Sequence, residues 1–247
     1  MTNDLRQALL ARYGETQARS ANPDVYEDIT SFWPYYDTNY GRLVGNLAID
    51  VDVLEIGCGH GSLLAWLSAR GFRNISGVDA SSMEVQLTNS RLESPIVVEG
   101  DAVAYLEEHL AAFDVVFAKA VVEHIPRDDL LPLVRALSRA LRPGGMAIID
   151  VPNMDWLMAS HERYMDMTHE NGFTRESLST LLALGFDEVV VTGSKLAAPT
   201  RSQRLLRPIV LRMVSRMLYL VGEGASDVLF SSRSLIAVAQ APRPIAS

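Results

Sequence analysis

The chain has 247 residues, is 48% hydrophobic and carries a formal net charge of −8. That size buries one good core, and the acidic balance excludes a general nucleic-acid binder, which needs clustered cations to meet phosphates. The single Cys58 excludes an intrachain disulfide and any cysteine-built zinc site; the absence of a signal-like start or a bilayer-length apolar run makes a cytoplasmic location the expectation.

Residues 3–20 predict a polar helix, broken at Asn22-Pro23. The next stretch is dense in aromatics (Tyr26, Phe32, Trp33, Tyr35, Tyr36, Tyr40), suited to stacking on a ligand or to excluding water. We therefore expect an N-terminal helix and aromatic lid over 1–45 and the main domain over 46–247, with a basic helical insertion at about 196–230. Apolar, β-branched runs predict strands at 51–56, 75–79, 96–99, 113–118, 146–151, 188–191 and 235–239. Helical spacing falls at 62–70, 82–91, 103–109, 128–141 and 175–184. Such alternation with short connections predicts an α/β fold, a mainly parallel Rossmann-like sheet with helices on both faces and ligands beyond the carboxyl ends of the strands.

The first strand runs into Gly57-Cys58-Gly59-His60-Gly61. Glycines at a strand–helix junction let the backbone turn and approach a ligand closely, and the G-x-G-x-G spacing differs from the G-x-G-x-x-G of nicotinamide enzymes. Strand two ends at Asp79-Ala80, where a carboxylate can accept from both hydroxyls of a ribose. After strand three, Asp101 can accept from an exocyclic amine such as adenine's, with the Ala102 amide beside it. Strand four ends at Lys119 and leads into Glu123-His124, and Leu141 to Gly145 reads as a helix stop before strand five. Cys58 reads as a packing residue.

The motifs LEIGCGHG (54–61), GVDAS (77–81), EGDA (99–102), FDVVFAKAVVEHIP (113–126) and LRPGGMAIIDVPN (141–153) resemble those of class I S-adenosylmethionine-dependent methyltransferases, in order and over residues 50–153. The resemblance implies a seven-stranded sheet whose last strand, 235–239, runs antiparallel. It implies S-adenosylmethionine as cofactor, held by Gly57, Gly59 and Gly61 over Glu55, by Asp79 with Ala80 at the ribose, by Asp101 with Ala102 at the adenine, and by Lys119.

The acceptor side rests on the block 163–174 after strand five. Methylating a hydroxyl requires loss of its proton, and histidine is best poised for that near neutral pH. His169 oriented by Asp166 is the first candidate base and His124 the second, against the alternative that these side chains only hold the loop together. A metal site from Asp166, His169, Glu170 and Glu123 is chemically open, but nothing in the spacing demands one and none is expected. Farther on, Pro208 reads as a helix start, placing Arg212, Ser215, Arg216 and Tyr219 opposite Ile209, Val210, Met213, Val214, Met217, Leu218 and Val221. That basic amphipathic helix, 208–221, packs its apolar face on the domain, or meets an anionic acceptor or a membrane surface. The aromatic segment, the RYxDxTHExGFT-like loop, the basic insertion and the SLIAVA strand together resemble a bacterial subgroup that O-methylates sugars in polysaccharide biosynthesis, so a glycan or activated-sugar acceptor is the main expectation. The alternatives are a quinone or aromatic natural product as acceptor, or a non-catalytic S-adenosylmethionine-binding regulator.

Overall fold

The β-branched, apolar run Val53–Ile56 has nowhere to go but inward: Leu54 and Ile56 are fully buried, and each such side chain stabilises the fold by about 1.5–3 kcal/mol. This computed structural model describes residues 27–93, 96–197, 199–221 and 229–241, together with 5, 8 and 9. The expected helix at 3–20 and Tyr26 lie outside the described residues, apart from those isolated positions.

In chain order the elements are α1 (Trp33–Asn39), α2 (Gly41–Val44), β1 (Asp52–Ile56), α3 (Ser62–Ala69), β2 (Asn74–Asp79), α4 (Ser82–Arg91), β3 (Val97–Glu99), α5 (Ala102–Glu108) and β4 (Phe113–Lys119). Then follow short 3-10 turns at Val122–His124 and Arg127–Asp129, α6 (Leu130–Ala140), β5 (Leu141–Pro152), α7 (Ala159–Tyr164), α8 (Arg175–Leu182), β6 (Glu188–Gly193), α9 (Arg201–Val221) and β7 (Ser234–Gln240). The strands form one sheet in the order β3-β2-β1-β4-β5-β7-β6. Pairing is parallel from β3 to β5, and β7 runs antiparallel to both β5 and β6. The expected doubly covered, mainly parallel sheet of seven strands is therefore present.

Two expectations are corrected. Residues 141–145 do not simply stop a helix: Leu141 already pairs with Phe113, the register then slips, and pairing resumes at Met146 with Val115. Gly144, at φ 81°, turns the backbone there, and Arg142 ties the bulge down by ion pairs to Asp52 and Asp114 at 2.7 and 2.6 Å. The second correction concerns α9, which runs through Pro208 instead of beginning at it. Proline removes one helix donor, which is tolerable because this stretch faces solvent. On its apolar face Ile209, Met213 and Met217 are 58, 67 and 59% exposed, whereas Val214 is half-buried. The aromatic segment is largely core, since Tyr36 and Tyr40 are buried against Trp66 and, for Tyr40, Phe117.

Candidate active site and cofactor cradle

Gly57, Gly59 and Gly61 adopt φ of +64, +50 and +82°, the left-handed region that glycine reaches without strain. A Cβ on Gly57 would lie 2.3 Å from Val121 and one on Gly61 2.5 Å from Thr88, so these two glycines make room for the protein itself. A Cβ on Gly59 would meet nothing within 4 Å, so it borders open space. Asp79 braces the loop, Oδ2 accepting from the Gly59 N–H and Oδ1 from the Ser81 N–H, both at 2.8 Å. Glu55 is buried beneath it with Oε2 lacking a hydrogen-bond partner. Burial pushes its carboxyl well above the usual range, opposed by the Lys119 ammonium. Burial also raises the Cys58 thiol, which stays protonated as a packing group.

Ala80 is exposed beside Asp79, and Ala102 half-buried beside Asp101. Asp101 Oδ1 caps α5 by accepting from the Ala104 N–H at 2.9 Å, and the residue also lines a cavity of about 210 Å³ with Val103 and Ile125. An orphaned buried carboxyl oxygen, an open glycine face and a braced acidic strand end are what a cationic, hydroxyl-rich nucleoside ligand requires, so the cradle fits S-adenosylmethionine.

Within the loop, burial holds the His60 imidazole down at about 4, with Arg91 and Lys119 adding to the effect. Unfolded, the ring titrates near 6.5, so the unfolded chain gains this proton first as pH falls. The stabilisation is complete above about pH 6.5 and is lost on descending towards pH 4. Buried carboxyls run the opposite way, so His60→Asn isolates the histidine's contribution. Urea unfolding is expected to show wild type losing about 2 kcal/mol more than His60→Asn between pH 7 and 4.5; equal losses would refute the assignment.

Lys119 closes β4 and joins the cradle to a second cleft. Burial works to lower its ammonium, but Tyr36, Asp150, Glu55 and Glu123 raise it overall, and it stands 4.9 Å over the Phe32 ring. Asp150, at the end of β5, is buried and accepts from the hydroxyls of Tyr35 (2.7 Å) and Tyr40. The cleft, of about 530 Å³, is lined by Phe32, Tyr35 and Trp156 on its aromatic side and by Lys195, Arg207 and Arg233 among its cations, with Glu123 and Glu162 in its wall. Asp150, Glu162 and Arg233 were not among the expected site residues, whereas Arg207 falls in the basic insertion; an acidic residue closing a buried apolar strand was the available signal for Asp150.

His124 and His169 are brought together, ring centroids 4.7 Å apart. The loop that carries His169 is clamped by the Glu123 carbonyl, which accepts from the Glu170 and Asn171 N–H groups at 2.8 and 3.0 Å. Arg163 donates to the carbonyls of His169 and Glu170. Asp166, the residue expected to orient His169, interacts electrostatically with both imidazoles: burial works to raise its carboxyl, but Thr168 and then His124 and His169 hold it below the usual range. Its Oδ1 accepts from the N–H and hydroxyl of Thr168, at 2.8 and 2.6 Å, and the Thr168 oxygen meets Nδ1 of His124 at 2.8 Å. Since the threonine hydrogen goes to Asp166, Nδ1 of His124 donates. His169 Nδ1 meets the Glu162 carbonyl at 2.9 Å and must also donate. Each neutral imidazole therefore carries its lone pair on Nε2. Glu123 is 1% exposed and neither carboxyl oxygen has a hydrogen-bond partner; burial pushes the group up to about 8, with Asp150 and Asp166 adding to the rise and its own N–H and Lys119 opposing it.

A family model described as "Methyltransferase domain" matches residues 6–187. Ubiquinone biosynthesis O-methyltransferases from Sodalis glossinidius (strain morsitans) and Klebsiella pneumoniae subsp. pneumoniae are 32 and 35% identical over 115 residues, covering 44 and 43% of this chain and 45 and 46% of theirs. The chain thus spans less than half the length of these curated relatives. Among solved structures, an S-adenosylmethionine-dependent methyltransferase from Archaeoglobus fulgidus superposes with a TM-score of 0.64 at 21% identity, over 92% of this chain and 99% of that one. A Haemonchus contortus phosphoethanolamine N-methyltransferase holding S-adenosylhomocysteine follows at 0.58 and 19%, over 94 and 61%. The chain belongs to the methyltransferase-domain family.

Proposed function

We propose that the chain O-methylates an aromatic, quinone-type acceptor carrying a lipid tail. The observation that carries this reading is the placement of α9. It puts Arg207 into the 530 Å³ cleft while leaving Leu205, Met213 and Leu220 in solvent. The aromatic rings of Phe32, Tyr35 and Trp156 suit a planar acceptor, and the names of the curated relatives point the same way. The apolar face of α9, flanked by Arg204, Arg212 and Arg216, suits the surface of an anionic membrane in which such an acceptor resides. Among the described residues no helix is long and apolar enough to cross a membrane, so this contact is peripheral.

S-adenosylmethionine supplies a methyl group already activated on a sulfonium. Gly57, Gly59, Gly61, Glu55, Asp79, Ala80, Asp101, Ala102 and Lys119 would hold it. The protein's remaining work is to position the acceptor hydroxyl and remove its proton. That proton is handled where Glu123, His124 and His169 converge. Thr168 and Glu162 fix the two imidazoles so that each keeps its lone pair on Nε2.

The sugar reading keeps one observation in its favour: Lys195, Arg207 and Arg233 converge on the cleft and would suit an anionic sugar phosphate. Labelled methyl transfer to a prenylated catechol, a plain catechol and a nucleotide sugar separates the two. Methylation of the prenylated catechol, stimulated by anionic vesicles, is expected. Transfer to the nucleotide sugar alone would replace the proposal.

A further inference from the structure

We propose that Glu123, His124 and His169 form a site for a divalent first-row transition-metal ion, contrary to the expectation from sequence. One ligand atom from each lies within 4.8 Å of the others. Donors held about 2.0–2.2 Å from a tetrahedral ion stand about 3.3 Å apart, so small side-chain rotations gather these three. Glu123 is the observation that points to a ligand: it is 1% exposed, aimed into the cluster, and both its oxygens lack hydrogen-bond partners. A buried carboxylate in that condition is costly unless a cation meets it.

The surroundings of the imidazoles match. Metal-bound histidines give their other ring N–H to a carbonyl, carboxylate or similar acceptor, which fixes the tautomer. Here Nδ1 of His169 donates to the Glu162 carbonyl, and Nδ1 of His124 donates to Thr168, itself anchored on Asp166. Both rings are thus set with lone pairs on Nε2. Two imidazoles and one carboxylate select zinc, manganese, cobalt or iron(II) over calcium and magnesium, which prefer all-oxygen sets. Three protein ligands leave open positions, and Glu123 is shared with the wall of the acceptor cleft. Resting on the methyl-transfer reading above, the ion's task follows. An acceptor hydroxyl bound at an open position is acidified, its proton passes to solvent, and its oxygen attacks the methyl carbon as the C–S bond breaks.

The test uses the full chain, stripped by chelator and titrated with Co(II) without acceptor. One equivalent is expected to bind, giving visible d–d absorption and two hyperfine-shifted exchangeable imidazole N–H resonances. His169→Ala should remove one resonance and weaken binding by at least about tenfold; Thr168→Val, which spares the ligands, should weaken it about 10- to 100-fold. Absence of stoichiometric binding by wild type, or unchanged binding in both variants, overturns the site. Calorimetry with S-adenosylmethionine on the same samples reports separately on the cofactor: retained cofactor affinity without Co(II) binding sinks the metal site alone.

Discussion

Asp79→Ala is expected to lower affinity for S-adenosylmethionine about 100-fold, since charge-assisted hydrogen bonds contribute about 1.5–3 kcal/mol each. The side chain does two jobs in the structure. It receives the N–H groups of Gly59 and Ser81, each at 2.8 Å, and so holds the glycine loop against the end of β2. It also sits at the strand end where a ribose would be received. Asp79→Asn keeps an acceptor but loses the charge, and a loss of about tenfold is expected from it. Isothermal titration calorimetry checks both, with thermal denaturation as a control on folding. A Kd for Asp79→Ala within about threefold of wild type would move the ribose site elsewhere.

His169→Ala and His124→Ala are each expected to reduce kcat by about 10²–10⁴ while leaving the Kd for S-adenosylmethionine unchanged. The rings stand with centroids 4.7 Å apart beside Glu123, which lines the acceptor cleft, and neither lies in the glycine cradle. Because they act as a unit, the double variant should be little worse than either single one. Single-turnover methyl transfer on the acceptor identified above provides the measurement. A kcat within about twofold of wild type for both single variants would remove the cluster from the reaction.

Much of the fold was legible because it is written locally. Each predicted strand at 51–56, 75–79, 113–118 and 235–239 overlaps an observed one, since apolar β-branched runs bounded by turn residues leave little choice. The glycine loop was equally readable: its positive φ values are demanded by the backbone and need no distant partner. The bulge at 141–145 was not, because Pro143-Gly144-Gly145 reads as a break and only pairing with Phe113 makes Leu141 part of a strand. Nor was the meeting of His124 with His169, which depends on the Glu123 carbonyl capturing two N–H groups from the far loop. The reach of Asp166 was hidden for the same reason: the Asp166–Thr168 contact is local, but its extension to His124 spans 44 residues. Amphipathicity in 208–221 was plain, yet the pattern is identical whether the apolar face packs inward or stands in solvent, and the structure has Ile209, Met213 and Met217 exposed.

The place of β7 carries a consequence for synthesis on the ribosome. This strand, Ser234–Gln240, slots between β5 and β6, and among the described residues β6 has no other strand to pair with. While a nascent chain is being made, β1 to β5 can assemble as soon as residue 152 has emerged. Through the next eighty or so residues, about that span from β5 to β7, the β5 edge stays open to any passing strand. Closing it brings together segments far apart in the chain, a slow event by the usual relation between contact separation and rate. The aggregation-prone interval of this protein's life is therefore set by the late arrival of β7, whereas the cofactor loop follows directly on β1.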